Sequence, residues 1–229
     1  MGPVELAKQA IDVGFQTNRW EEHESFWRDQ IGLPYNHLLK VGGGVHQHRH
    51  DLHGAVCKVN SVRDTLPVDQ PGGYVGLTIV ASHDEAIGSH ATPDGTPVRV
   101  ITHAAEPTVL TIVDIEVTDV EETKGALVAL GAIATDDSTV RLGETQLSLV
   151  ENTNRQPTGE RNATGFRYLT IQVADVRAAH AHALGNGLTE GTAPIKLGEV
   201  AFISFVRLPD GDWIELSQRA SLTGPLPDV

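Results

Sequence analysis

Apolar and polar positions along this chain follow two periods, and their alternation repeats. Ile112 to Val117 alternates in the manner of a half-buried strand. Thr118 and Glu121 then have the spacing of a capping box, Val120, Leu127 and Leu130 mark one helical face, and Gly131 stops the helix. Tyr168 to Val173 begins a second copy, with Asp175 as helix cap, Val176, Ala179 and Ala183 facing inward, and Gly185 or Gly187 as terminator. The shared signature is V-x-D-V, at Val117 to Val120 and at Val173 to Val176, 56 residues apart. A diverged copy opens the chain. It has Ile11 to Thr17 as strand, Asn18 and Glu21 as capping box, and Trp20, His23, Trp27 and Ile31 on one helical face before Gly32.

Short alternating strands follow each helix. Leu38 to Val41, Val45 to His50, Ala55 to Val59 and Tyr74 to Val80 follow the first, Val140 to Arg141 and Gln146 to Val150 the second, and Val200 to Arg207 and Trp213 to Ser217 the third. The repeating unit is therefore βαβββ, in an α+β chain. Three units are expected: an expanded one over 1–105, a short one over 106–152 and a third over 164–219, with a tail over 220–229. Ser61 to Gly73 and Ser82 to Thr96 read as loops, and Ala104 to Pro107 and Asn152 to Thr164 as linkers. Pro93-Asp94-Gly95 and Pro209-Asp210-Gly211 predict two equivalent tight turns before a last strand. Three units leave one sheet edge without a partner, which predicts a homodimer.

Composition narrows the partners. Seventeen Lys and Arg against thirty Asp and Glu give a net charge of −13, which argues against nucleic acid and anionic membranes and favours a small-molecule ligand. No apolar run reaches the ~18 residues of a membrane span, and Glu5 stands where a secretory signal is apolar, so a cytoplasmic protein is expected. A lone Cys57 excludes an internal disulfide and reads as a buried structural thiol.

Two stretches carry a family resemblance. Ser25 to Leu33, SFWRDQIGL, is similar to the F-Y-R-D-x-L-G-L helix end of the vicinal oxygen chelate superfamily, and Leu208 to Leu216, LPDGDWIEL, to its D-P-D-G-N-x-x-E-L strand. That superfamily includes glyoxalase I, extradiol dioxygenases and bleomycin-resistance proteins. The resemblance implies paired units whose curved sheets form a cup with helices outside, and a metal held by the first and last strands of each unit. Glu215 falls on the last-strand carboxylate. The first-strand histidine is replaced by Tyr168, Ile112 and Asp12 in the three units, and Arg99 takes the last-strand position of the first. The inherited metal site is thus incomplete.

Histidines offer a replacement. In VHQHRHDLH, from Val45 to His53, a strand places His46, His48 and His50 on one face, either as ligands or as a solvated edge. A divalent metal held by His48, His53 and Glu215 is the candidate, and no organic cofactor is indicated. Tyr168, Glu215, Arg49 and Asp12 are the candidate catalytic residues, with burial expected to raise the Glu215 carboxyl and the Tyr168 phenol positioned to donate to a substrate oxygen. Lys58 stands with Arg49 and His53 as a possible donor to an anionic or carbonyl-bearing ligand, or as a surface charge. The functional expectation is a lyase, isomerase or ring-opening enzyme acting on an oxygenated, neutral or weakly polar substrate. The alternatives are a sequestering protein whose acidic cup takes a cationic drug, and an extradiol-type dioxygenase.

Overall fold

A computed structural model describes residues 4–67, 71–81, 86–103 and 108–227. The chain opens with β1 (Asp12–Thr17), helix α1 (Trp20–Glu24) continuing into a π-helical turn over Ser25–Gln30, then β2 (Tyr35–Gly42), β3 (Val45–Leu52) and β4 (Ala55–Val62). It continues through β5 (Tyr74–Val80), β6 (Gly88–Ala91) and β7 (Pro97–Ile101). Next come β8 (Thr111–Val117), α2 (Val120–Ala129), β9 (Ile133–Ala134), β10 (Thr139–Leu142) and β11 (Thr145–Glu151). The last unit is β12 (Gly165–Gln172), α3 (Val176–Gly185), β13 (Thr189–Leu197), β14 (Ala201–Arg207) and β15 (Trp213–Arg219), closed by a short α4 (Ala220–Thr223).

In each full unit the first and last strands pair in parallel, β1 with β4, β8 with β11 and β12 with β15. Strands β5 and β7 pair in the same way, with β6 antiparallel beside β7. The segment from 74 to 101 is therefore a fourth unit that lacks a helix. This corrects the expectation of three units: the expanded first one resolves into two, because β5 pairs with β8 and not with β4. It also corrects the loop expected from Ser82 to Thr96, which holds β6; residues 82–85 of that loop and the linker Ala104 to Pro107 lie outside the described residues. The units of β1–β4 and β12–β15 form an eight-stranded sheet joined at β1–β12, and those of β5–β7 and β8–β11 a seven-stranded sheet joined at β5–β8. With four units paired, the odd count that predicted a homodimer is gone.

Helices cover one face of the eight-stranded sheet, and the apolar core lies between. Phe15 of β1 stacks on Phe166 of β12 with centroids 4.6 Å apart and meets Trp27 of the π-helical turn at 5.2 Å. Val176, Ala179 and Ala183 of α3 are buried, as their spacing predicts. Asp175 caps α3 by accepting from the Ala178 amide at 3.0 Å, but the other two caps differ from expectation. Asp119, not Thr118, caps α2 through the Glu122 amide. Asn18 caps nothing. Its side chain donates to the Val62 and Asp64 carbonyls and accepts from the Leu66 amide, fastening the chain as it leaves β4.

A Pro-Asp-Gly turn explains the first departure, and its counterpart makes a similar contact. Each connects the last two strands of its unit, and each sends its aspartate to the strand–helix junction of a unit in the other sheet. Asp210 accepts from the Thr118 amide at 2.7 Å and hydroxyl at 2.5 Å and pairs with Arg155 at 3.2 Å. Asp94 accepts from the fully buried His23 ring at 2.8 Å. Thr118 is thus committed to Asp210, leaving Asp119 to cap. Asp210→Ala is expected to cost about 2–3 kcal/mol, since it strands two donors and half of an ion pair away from water. A lowered urea midpoint at unchanged m-value checks this.

Candidate active site in the cup of the eight-stranded sheet

Strand registers converge polar side chains on the sheet face away from the helices. Asp12 of β1 lies opposite Thr170 of β12, Thr170 beside Glu215 of β15, and Gly14 beside Lys58 of β4. Period-two alternation adds Asn60, Tyr168, Gln172, Ser217 and Arg219 to that face, and β3 contributes Gln47 and Arg49 opposite Asn60 and Lys58. Lys58 and Glu215 stand on strands three spacings apart, ~14 Å in a flat sheet. Their side chains nevertheless meet at 2.9 Å, so the sheet is curled into a cup.

Lys58 is the hub. Its ammonium donates to Thr170 Oγ1 at 2.7 Å and to Glu215 Oε2 at 2.9 Å, and lies 3.4 Å from Asp12 Oδ2. Lys58 is only 1% exposed and Asp12 is fully buried. Burial alone raises the Glu215 carboxyl, but the Lys58 charge and the Thr170 hydroxyl overturn this and hold it below its ordinary value. Asp12 is lowered similarly, burial being outweighed by Lys58 and Lys8. The expected upward shift of Glu215 is therefore corrected: a buried carboxylate facing an ammonium stays ionised. Glu215 Oε2 is occupied, whereas Oε1 accepts no hydrogen bond from any described residue.

A chain of amides leads to the second centre. Arg49 donates to Gln47 at 2.7 Å, Gln47 to Asn60 at 3.1 Å, and Asn60 to the Tyr168 hydroxyl at 3.0 Å. Tyr168 thus accepts from Asn60, and among the described residues its own O–H donates to none. Burial, and then the charge of Glu215, push the phenol above its ordinary value, so it stays protonated. Its ring lies over Gly14, where an added Cβ would sit 2.3 Å away, so only glycine leaves room for it.

Tyr168, Glu215, Arg49 and Asp12 are brought to one face, but the metal candidates are not. His48 lies opposite Val59 on the helix side, where it stacks on Trp20 with centroids 3.3 Å apart. Burial and its neighbours His46 and His50 push it down to about 4, so it is neutral. His53 has φ 51° and forms, with Gly54, the two-residue turn between β3 and β4. Neither reaches Glu215. Arg99 is corrected too: it lies on β7 in the other sheet, and the last strand of the first unit is β4. Among the described residues no group of three His, Cys, Asp or Glu side chains can hold a metal ion. In this sheet the positions that the resemblance gives to metal ligands hold Asp12, Tyr168 and Glu215, and the Lys58 ammonium lies among them, bonded to Glu215 and Thr170. This set does not fit a divalent ion, since one at 3 Å from the ammonium meets repulsion on the order of 10 kcal/mol at an effective dielectric of about 20.

The residues that sequence reasoning underrated are Lys58, Asn60 and Thr170. Their signal was present in AVCKVNS, from Ala55 to Ser61, where Lys58 and Asn60 alternate with buried Cys57 and Val59. Cys57 is a buried structural thiol, its pKa raised by burial.

No protein-family model matches the chain, and no curated protein matches it in sequence. Its structure is similar to that of glyoxalase I from Zea mays, at TM-score 0.70 and 13% identity over 91% of this chain and 92% of that one. A putative dioxygenase from Bacillus subtilis subsp. subtilis str. 168 matches at TM-score 0.64 and 10% identity, over 95% and 86%. The cppA protein of Streptococcus pneumoniae TIGR4 matches at 0.56 and 9%, over 95% and 100%. Paired βαβββ units, parallel first and last strands and helices outside a curled sheet are common to the expectation and the structure, and this chain has the vicinal oxygen chelate fold.

Proposed function

We propose that this cup is the active site of an enzyme that abstracts a proton next to a carbonyl group of a small oxygenated substrate, giving isomerase or lyase chemistry. The observation that carries the reading is a pair of unfilled valences on one buried face: Glu215 Oε1 accepts from nothing, and the Tyr168 O–H donates to nothing, among the described residues. Glu215, kept ionised by Lys58, takes the proton through Oε1. Tyr168 donates to the carbonyl oxygen as negative charge develops on it, and the amide chain from Arg49 strengthens that donor by polarisation. Asp12 balances the Lys58 charge and does not contact the reacting atoms. Returning the proton to a different carbon completes an isomerisation, and expelling a β-substituent completes an elimination.

Charge in the cup also bears on the alternatives. Arg49, Lys58 and Arg219 face Asp12 and Glu215, so the cup is not acidic although the chain carries −13. Neither arginine has a carboxylate within 4 Å among the described residues, and the buried Nε of Arg219 has no partner, which favours an anionic substrate over the neutral one expected. A sequestering protein for cationic drugs thereby loses its support. A dioxygenase of the extradiol type is disfavoured as well, because Asp12 and Tyr168 stand where the resemblance expects its two histidines.

The test is a thermal-shift screen of lactones, diketones, and 2-oxo and 2-hydroxy acids, followed by proton NMR of each stabilising compound in D2O. Exchange of the proton beside the carbonyl is expected, and Tyr168→Phe is expected to slow it about a hundredfold while affinity changes by only about 1 kcal/mol. If every stabilising compound binds without exchange or conversion, the enzymatic reading fails.

A further inference from the structure

We propose that Lys58 is the resident cation of this cup, its ammonium occupying the place where the fold otherwise keeps a divalent metal, so that the site works with a cation encoded in the chain. The inference rests on geometry and not on the reaction proposed above. Four strands meet at the floor, β4, β1, β12 and β15, and each sends one polar side chain to the same point: Lys58, Asp12, Thr170 and Glu215. The ammonium has three donors, and three oxygens surround it, Thr170 Oγ1 at 2.7 Å, Glu215 Oε2 at 2.9 Å and Asp12 Oδ2 at 3.4 Å. All these side chains are buried, and two carboxylates packed at one point in a dry interior require a positive charge between them. A hard metal ion meets that requirement with oxygen ligands, and the ammonium meets it here with the same kind of oxygens.

The role differs from a metal's in one respect. A metal keeps open positions for substrate oxygens, whereas the Lys58 ammonium is 1% exposed, donates to Thr170 and Glu215 and lies 3.4 Å from Asp12. Lys58 is therefore a positioning residue: it fixes the Glu215 carboxylate with Oε1 outward and supplies positive potential to the floor, and any direct donation to a ligand falls to Tyr168.

Two measurements test this on the full chain, purified without an affinity tag. First, elemental analysis and calorimetric titration with Zn2+, Ni2+ and Mn2+ are expected to show less than 0.1 equivalent bound and no site in the micromolar range, with the melting temperature unchanged by EDTA. One tightly held equivalent that disappears in Glu215→Gln would overturn the proposal. Second, Lys58→His replaces the ammonium by a neutral imidazole beside two carboxylates, an ordinary ligand set for Zn2+ or Ni2+. That variant is expected to bind one equivalent at least a hundredfold more tightly than the wild type and to gain melting temperature on adding Zn2+. An unstable variant sharpens this readout, because metal then restores folding. A Lys58→His chain that is folded by circular dichroism yet binds Zn2+ no better than the wild type places the cation's role elsewhere and overturns the proposal, as does an unfolded one that Zn2+ fails to rescue.

Discussion

Replacing Lys58 by methionine is expected to lower folding stability by about 3–5 kcal/mol, since the change leaves Glu215, 8% exposed, as a buried carboxylate without an ion-pair partner and leaves the fully buried Asp12 with Lys8 alone. The pH dependence of stability is expected to change sign with it. In the native chain both carboxyls are depressed below their ordinary values, so their contribution is present above about pH 4 and is lost as pH falls through the folded values. Without the ammonium, burial dominates at Glu215 and raises it, whereas Asp12 keeps Lys8. A raised carboxyl contributes stability below about pH 4 that is lost as pH climbs through the folded value. The depressed histidines act alike in both chains, so relative to the native chain the variant is expected to lose urea resistance between pH 5 and pH 7. Equal urea midpoints for Lys58→Met and the native chain at pH 7 would show that the trio is not a buried charge network.

Glu215→Gln is expected to fold and to lose about a thousandfold in turnover of whichever compound the NMR screen identifies. The amide keeps the shape of the side chain, and its oxygen still accepts from Lys58 and Thr170, so packing around β15 changes little. What it lacks is a basic oxygen at Oε1. Because the reaction needs that atom to gain a proton, the loss is expected in kcat, with KM changed by less than tenfold. A variant that retains a tenth of native kcat assigns the base elsewhere in the cup.

Much of the architecture was legible because it depends on local pattern. The period-two runs at Ile112 to Val117 and Tyr168 to Val173, the Asp175 cap and the two Pro-Asp-Gly turns are each set within a few residues, and all appear where the pattern puts them. The fourth unit was hidden because its helix is missing, and with the helix went the 3.6-residue period that marks a repeat. Tyr74 to Val80 reads as a strand in either arrangement. Pairing with β8 rather than β4 is a long-range choice that no local period records.

The site divides along the same line. Residues two apart on a strand share a face whatever the fold, which is why His46, His48 and His50 group on one face of β3, whereas Asp12, Tyr168 and Glu215 lie on three strands and were singled out only through the resemblance. Which side of the sheet each group faces was decided only by tertiary structure, because Trp20 and the helix after β1 pack over the histidine side and leave the Lys58 side open to the cup. The sign of the Glu215 shift was likewise beyond sequence. It depends on an ammonium 157 positions away, brought to 2.9 Å by the curl of four strands, and at that distance Coulomb attraction outweighs burial.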